Sequence, residues 1–289
     1  MPHLSTWNWS DDERRAGYTR RNIVRQLLKK HGYVKRKAVK SQSTGEFKER
    51  DRQFKKISRL RGKYERAGNP VISVDTKKKE RLGNLYRDGQ VYCLEAEVVY
   101  DHDYAHLSEG KVIPHGIYDL KHNDAMINIG ISADTGEFAC DSIKLWWEET
   151  GCKRYQNATS LLILVDSGGS NSYRHHIFKE ELQSLVNSID MEIRIAHYPP
   201  YASKWNPIEH RLFPHVTRAL SGVIFRSYSL VKNLIGRTHT ETGLRVTVNI
   251  IDKFYEKSKK ASADLYENGT IIFDKVLGRL NYRVTQTAS

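Results

Sequence analysis

Three carboxylates in this chain stand where apolar runs end or helices begin. Asp75 closes Val71-Ile72-Ser73-Val74, and Asp166 closes Leu161-Leu162-Ile163-Leu164-Val165. Glu209 lies in Lys204-Trp205-Asn206-Pro207-Ile208-Glu209-His210, which opens a helical pattern. Short runs rich in β-branched residues read as buried strands. A carboxylate just past the C-terminal end of such a strand is held rigidly yet reaches out of the sheet. Three of them at one point repel one another unless cations or protons join them. Hard oxygen donors suit Mg²⁺ or Mn²⁺, and two such ions at a shared carboxylate stabilise both the attacking and the leaving oxygen of a phosphodiester displacement. On this reading Asp75 bridges two ions, Asp166 holds one and Glu209 the other.

Each acid also has a plain structural reading. Asp75 could simply end a strand, and Asp166 could be an ordinary turn residue before Ser167-Gly168-Gly169-Ser170. Glu209 could be a first-turn acid near Pro207, favoured by the helix dipole. The chemical reading is preferred because all three fall at element ends, in an order that can bring them together. Lys77, Lys78 and Lys79 follow the first acid and are expected either to grip phosphates or to form a solvated charge run, and Lys204 and His210 beside the third are further candidate phosphate contacts. His197 and His210 are expected to flank the site, in a structural or a positioning role. Trp205 reads as a packing residue. Ser167 to Asn171 resembles an anion-binding loop before a helix, but it lacks the GxxxxGK[ST] pattern, so a nucleotide P-loop is not expected.

The elements that must position these residues follow from periodicity. A helix is expected over 20–31, with Ile23, Val24, Leu27 and Leu28 on one face, followed by an aperiodic basic stretch from Lys35 to Gly45. A second helix, Phe47 to Arg66, has Phe47, Phe54, Ile57 and Tyr64 in phase and ends at Gly68-Asn69-Pro70. Strand one is Val71–Asp75. Within 80–112, Val91–Leu94 and Val98–Tyr100 read as short strands of an insertion. Ile113–Leu120 and Ala125–Ser132 form a hairpin, and Asp134-Thr135-Gly136-Glu137 reads as a capping box. The helix it starts carries Ala139, Ile143, Trp146 and Trp147 on one face and ends at Gly151. Strand Leu161–Asp166, helix Tyr173–Ile189, strand Met191–His197 and helix Asn206–Leu220 complete the pattern. This order resembles a ribonuclease-H-like α/β domain: a mixed five-stranded sheet flanked by helices, with strands one and four adjacent. Asp75 and Asp166 would then lie side by side.

The chain has 289 residues and a net charge of +13. Residues 1–69 hold 20 Lys/Arg against 7 Asp/Glu, and the remainder is balanced at 27 each. A basic helical segment ahead of a neutral body points to a polyanion, with DNA the first expectation. Lys55, Lys56, Arg59 and Lys63 on the second helix are candidate contacts. The domains expected are 1–69, a basic helical DNA-binding segment; 70–245, the catalytic domain; and 246–289, a C-terminal appendage. Three cysteines without CxxC spacing argue against a disulfide frame or zinc site. The N-terminus does not read as a secretory signal and no run is long enough for a membrane span, so a cytoplasmic protein without membrane or small-molecule partners is expected.

Several motifs resemble the DDE insertion-sequence transposases of the Rhodopirellula type. They run through Asn69-Pro70-Val71-Ile72-Ser73-Val74-Asp75-Thr76-Lys77-Lys78-Lys79-Glu80, Pro114-His115-Gly116-Ile117-Tyr118-Asp119, Asn128-Ile129-Gly130-Ile131-Ser132 and Asp134-Thr135. They continue in Asp166-Ser167-Gly168-Gly169-Ser170-Asn171, Ser203-Lys204-Trp205-Asn206-Pro207-Ile208-Glu209-His210-Arg211 and Thr242-Gly243-Leu244-Arg245-Val246. The resemblance covers roughly residues 19 to 284. It implies a ribonuclease-H-like core, Mg²⁺ or Mn²⁺, transposon ends and target DNA as substrate, and Asp75, Asp166 and Glu209 as the triad. Because such chemistry joins two ends, a homo-oligomer on DNA is expected. The family also implies helix-turn-helix sequence upstream, of which residues 20–33 resemble the last part. The competing expectation is therefore a truncated DNA-binding remnant without transposition activity. A nuclease acting on RNA–DNA hybrids or junctions is a third reading, disfavoured by the Asn-Pro-Ile-Glu-His context.

Overall fold

Val71-Ile72-Ser73-Val74 offers no solvent-facing alternation, so it suits only a strand covered on both sides. It forms most of β1 (Val71–Thr76). The computed structural model describes residues 17–34, 36, 47–101, 104–168, 176–257, 262 and 270–287, with backbone only for 17–22 and 105. β2 (Glu80–Leu82) pairs with β3 (Gly110–Asp119), which runs antiparallel to β1 and turns back into β4 (Asp124–Gly130). β5 (Ser160–Val165), buried along its whole length, lies parallel to β1, and β6 (Glu192–His197) lies parallel to β5. The order β4-β3-β1-β5-β6 is the expected ribonuclease-H-like sheet.

That sheet is wider than five strands. β7 (Arg245–Ile251) adds in parallel beside β4, while β8 (Ile271–Phe273) and β9 (Asn281–Val284) extend the β6 edge. The described strands of the expected 246–289 appendage are therefore part of the sheet, because they cover both of its edges and bond their otherwise open backbone groups.

Helices cover both faces. α1 (Gly17–Lys30) and α2 (Arg50–Arg66) precede the sheet. α3 (Gly136–Trp146) and α4 (His176–Ile189) bury Phe178, Leu182, Ile143 and Trp146 against Ile72, Val74, Ile163 and Val165. α5 (Pro207–Arg211), α6 (Phe213–Leu220) and α7 (Tyr228–Gly236) cover Tyr118, Ile127 and Ile129 on the opposite face. Beside them Ile57 and Tyr64 of α2 pack on Val71, Leu162, Leu164 and Ala196. Among the described residues no helix is long and apolar enough to cross a membrane.

Several expectations need correction. The chain divides between Thr44 and Gly45, not at Pro70. The positive charge of α2 sits on its outer faces, while its apolar stripe belongs to the core of the larger unit. Its Gln53 is fully buried, with Nε2 donating to the His197 carbonyl (2.7 Å) and to Asn281 Oδ1 (3.0 Å), and Oε1 accepting from Asn281 Nδ2 (2.7 Å). Phe47 lies ahead of α2. In the smaller unit, α1 is present and exposes Ile23, Val24, Leu27 and Leu28. The expected start of the fourth helix at Tyr173 falls outside the described residues, as does nearly all of the Lys35–Gly45 stretch.

Val91–Leu94 and Val98–Tyr100 are irregular, with Tyr92, Leu94 and Val98 exposed; short apolar pairs without a bonding neighbour do not make strands. The N-cap of α3 is Thr135, whose Oγ1 accepts from Phe138 N (3.2 Å), so Glu137 falls one position short of a capping box. Helical turns continue past Gly151 to Arg154. The expected single helix Asn206–Leu220 breaks at Leu212, because Pro214 lacks the N–H that a continuous helix needs there.

Since α2 is core, a chain beginning at Gly45 is expected to unfold in one cooperative urea transition, and one beginning at Val71 is not. Ile57→Ala should cost about 2–5 kcal/mol in the same measurement. Equal stability of the two truncations would show that α2 is peripheral.

Candidate active site

The last paired residues of β1 and β5 are Val74 and Val165, so Asp75 and Asp166 are next in line on adjacent parallel strands. Period-two alternation puts Asp75 on the face of Val71 and Ser73, and Asp166 on the face of Leu162 and Leu164. Those residues share the side covered by α2 and α5. Both acids therefore leave the same end and the same face of the sheet. Asp75 Oδ1 accepts from Thr76 N (2.8 Å), and Asp166 Oδ1 from Gly168 N (3.1 Å).

Glu209 reaches them through a buried clasp. Ser73 Oγ donates to Asn206 Oδ1 (2.5 Å) and accepts from Ile208 N (3.0 Å), while Asn206 Nδ2 donates to the Val74 carbonyl (3.3 Å). Both side chains are fully buried. Pro207 fits the first helical position, where no N–H is required. Gly116, paired with Asp75, makes room for this: a Cβ there would lie 2.8 Å from Ile208 Cδ1 and 3.0 Å from Phe213 Cε1.

The three acids feel one another. Burial first, then the charges of Asp166 and Glu209, push the Asp75 carboxyl up to about 9. Burial also raises Asp166; the Gly168 N–H opposes this and Glu209 adds to it. Among the described residues no three His, Cys, Asp or Glu side chains form a ready-made metal cage. The charges of Asp166 and Glu209 act on Asp75, and that of Glu209 acts on Asp166. An all-oxygen donor set of this kind fits a hard divalent cation that keeps waters and takes further ligands from phosphate.

The other predicted residues are spread more widely. Lys77 and Lys78 line a cavity of about 870 Å³ that also includes Glu209, Arg81, Arg87 and Phe213. Burial lowers the Lys77 ammonium, against the opposing charge of Glu80. Lys55, Arg59 and Lys63 are exposed on α2. Lys56 is committed within the fold, donating to the Val276 carbonyl (2.8 Å) and pairing with Asp274. Lys204 is exposed and lies 5.7 Å from the Trp205 ring centre. Trp205 is half exposed and packs edge-on against Phe54 at 6.0 Å.

Of the two histidines expected to flank the acids, His197 does so in the structural role, against the backbone of Asp166. His197 is fully buried, with Nδ1 3.0 Å from the Asp166 carbonyl oxygen. Burial lowers it to about 4, so it is neutral at pH 7, and because a carbonyl only accepts, Nδ1 carries the proton. It therefore holds the backbone of Asp166. His210 faces a second cavity. The sequence reading missed the clasp, although a serine within an apolar strand was its signal: a buried hydroxyl needs a partner. It also missed Asp134, whose carboxylate accepts from Thr76 Oγ1 (3.2 Å) and pairs with Lys79 (3.0 Å), next to Asp75.

The family model of the Rhodopirellula transposase DDE domain matches residues 3–286, beginning earlier than the motifs alone suggested. None of the curated proteins matches the chain. Among solved structures it resembles the Mos1 mariner paired-end complex with Mn (14% identity, 80% of this chain and 72% of that one, TM-score 0.46). It also resembles the Mos1 transposase paired-end complex with left transposon end (13%, 81% and 72%, 0.47) and the Mos1 strand transfer complex (14%, 81% and 71%, 0.46).

Two outcomes follow from the site. Ser73→Ala leaves the Ile208 N–H and the Asn206 amide without their partner and should cost about 1–3 kcal/mol in urea unfolding. Asp75 binds its proton more tightly folded than unfolded, where its value is 3.8. Its stabilising contribution is thus complete below that value and is lost as pH rises towards about 9. In chelator, Asp75→Asn should melt above wild type at pH 8, with the advantage shrinking towards pH 4. A pH-independent difference in melting temperature would refute the assignment.

Proposed function

Because the chain belongs to the family of the Rhodopirellula transposase DDE domain, we propose that Asp75, Asp166 and Glu209 carry metal-dependent cleavage at insertion-sequence ends and transfer of the freed 3′-OH to target DNA. The observation that carries this reading is the convergence of the three acids at the end of β1, just beyond β5 and on α5, where burial first and then the charges of Asp166 and Glu209 raise the Asp75 carboxyl. Two divalent ions, Mg²⁺ or Mn²⁺, are the fitting cofactors. When bound they activate water and neutralise charge on the phosphoryl and leaving oxygens.

The chain's own residues orient and grip. Asp75 and Asp166 are ligands fixed by Thr76 N and Gly168 N, and the Ser73–Asn206 clasp aims Glu209. His197, neutral at Nε2 and protonated at Nδ1, steadies the strand end beneath Asp166. Lys77 and Lys78 lie in the cavity beside Glu209 and are placed for phosphates, which fixes register rather than sequence. Exposed Lys55, Arg59, Lys63 and Lys204 extend the cationic surface, and the basic segment ahead of the core adds sequence-independent grip. The partners are transposon ends and target DNA, with a homo-oligomer bringing two ends together. The protein acts at the nucleoid in the cytoplasm.

Purified protein with Mg²⁺ should nick or join element-end DNA. Asp166→Asn should lower that activity by at least about a thousandfold, of the order lost when charge stabilisation at a reacting centre is removed, and should leave DNA affinity in chelator unchanged. Normal cleavage by Asp166→Asn would overturn the catalytic assignment. Salt-sensitive binding without any cleavage by wild type would favour a binding remnant.

A further inference from the structure

The Thr242-Gly243-Leu244-Arg245-Val246 motif has no part in the site above, yet it helps to build a second cavity. This one, of about 440 Å³, is lined by Tyr118, Asn123, His210, Arg211, His215 and, from the next loop, Thr240, Thr242 and Leu244. Hydrogen bonds tie three segments around it: the β3–β4 hairpin, the end of α5 and the Thr240–Leu244 loop. The Tyr118 hydroxyl donates to Asn123 Oδ1 (2.8 Å) and accepts from Arg211 Nη1 (3.4 Å), and Asn123 Nδ2 donates to the Thr242 carbonyl (3.0 Å). Thr240 Oγ1 accepts from Leu244 N (3.1 Å) and lies 2.9 Å from Thr242 Oγ1, with Gly243 at φ +90° closing the turn.

The lining holds one arginine and two histidines but no carboxylate; Glu241, between Thr240 and Thr242, is exposed and is not among the lining residues. Among the described residues, Arg211 makes only the long bond to Tyr118, and no acid pairs with it. His215 Nδ1 is buried without a hydrogen-bond partner. Donors and positive charge thus converge where nothing within the described chain answers them. A guanidinium fork matches phosphate oxygens geometrically, and hydroxyls and an imidazole N–H can complete the shell. The cavity is separate from the acids but close. Tyr118 pairs with Ser73, two residues back from Asp75, or roughly 7 Å along the strand. α5 separates the two, sending Glu209 to one side and His210 to the other.

We propose that this cavity is a phosphate site that seats one backbone phosphate of the bound DNA, apart from the scissile one. Arg211 is its principal ligand, and the Thr240–Leu244 loop forms its wall. The identity of the phosphate as DNA rests on the function proposed above; the anion site itself does not. In this role Arg211 sets the path of the strand across α5, so that the bond to be cut meets Glu209.

The test uses the full chain in chelator, with an element-end duplex. Arg211→Gln, an exposed position that folding tolerates, should weaken binding about tenfold at about 0.15 M salt, the loss expected for a charge-assisted phosphate contact. The slope of log affinity against log salt should become shallower by about 0.9. Arg211→Lys should restore the slope and part of the affinity, since it keeps the charge without the fork. Unchanged affinity and slope in Arg211→Gln would overturn the site while leaving the catalytic assignment standing. If wild type binds no DNA, the functional reading fails, and titration with inorganic phosphate decides the cavity alone. Imidazole resonances of His215 that move in wild type and not in Arg211→Gln support it, and resonances that stay still in both overturn it.

Discussion

Three carboxylates that repel one another must be held within reach, and much of the architecture around β1 serves that constraint. Parallel pairing of β1 with β5 puts Asp75 and Asp166 on neighbouring strand ends, where the backbone cannot relax away from the repulsion. The cost, burial first and then the charges of Asp166 and Glu209, appears as the raised proton affinity of Asp75. Such strain persists only where surrounding packing over-determines it. Here both strands are buried on both faces, between α3 and α4 on one side and α2 and α5 on the other.

The third acid is harder to hold, because α5 is only five residues long and has little stability of its own. Its start is fixed from outside. Ser73 supplies the acceptor that the Ile208 N–H lacks within the helix, and Asn206 returns a bond to the carbonyl of Val74. Strand and helix thereby share one hydrogen-bond network beginning two residues before Asp75 and ending one before Glu209. Gly116 lets the helix descend onto the sheet, and the Pro214 break then directs α6 away over Tyr118 and Ile127. Side-chain networks of this kind, fully buried and fully satisfied, fix geometry more tightly than apolar packing alone.

What was legible in the sequence follows from the range of each interaction. Strands β1 and β5 are runs of β-branched and aliphatic residues, and the acids at their ends stand out without any knowledge of partners. The order of elements was enough to make those strands neighbours. The edge strands were less accessible. Arg245–Ile251 alternates like a strand, but its parallel pairing with β4 depends on contacts more than a hundred positions away. The Ser73–Asn206 bond is of the same kind: each residue is unremarked alone, and only the fold shows that they meet. α2 misled for a different reason. Net charge reports what a segment shows to solvent, whereas domain membership depends on its narrow apolar stripe.

That double character of α2 bears on how grip and chemistry are joined. Through Ile57, Tyr64 and Gln53 the helix is fastened to β1, β5, β6 and β9, the strands that carry or support Asp75 and Asp166. Its Lys55, Arg59 and Lys63 face outward from the same rigid body. Phosphates held by those cations would therefore be positioned relative to the acids by a packed helix and not by a tether. A tethered basic arm raises local DNA concentration but leaves register free, while a helix built into the core constrains both. Lys56 marks the limit of this arrangement: its ammonium is turned inward to Asp274 and the Val276 carbonyl, spending its charge on the β8–β9 edge and not on DNA.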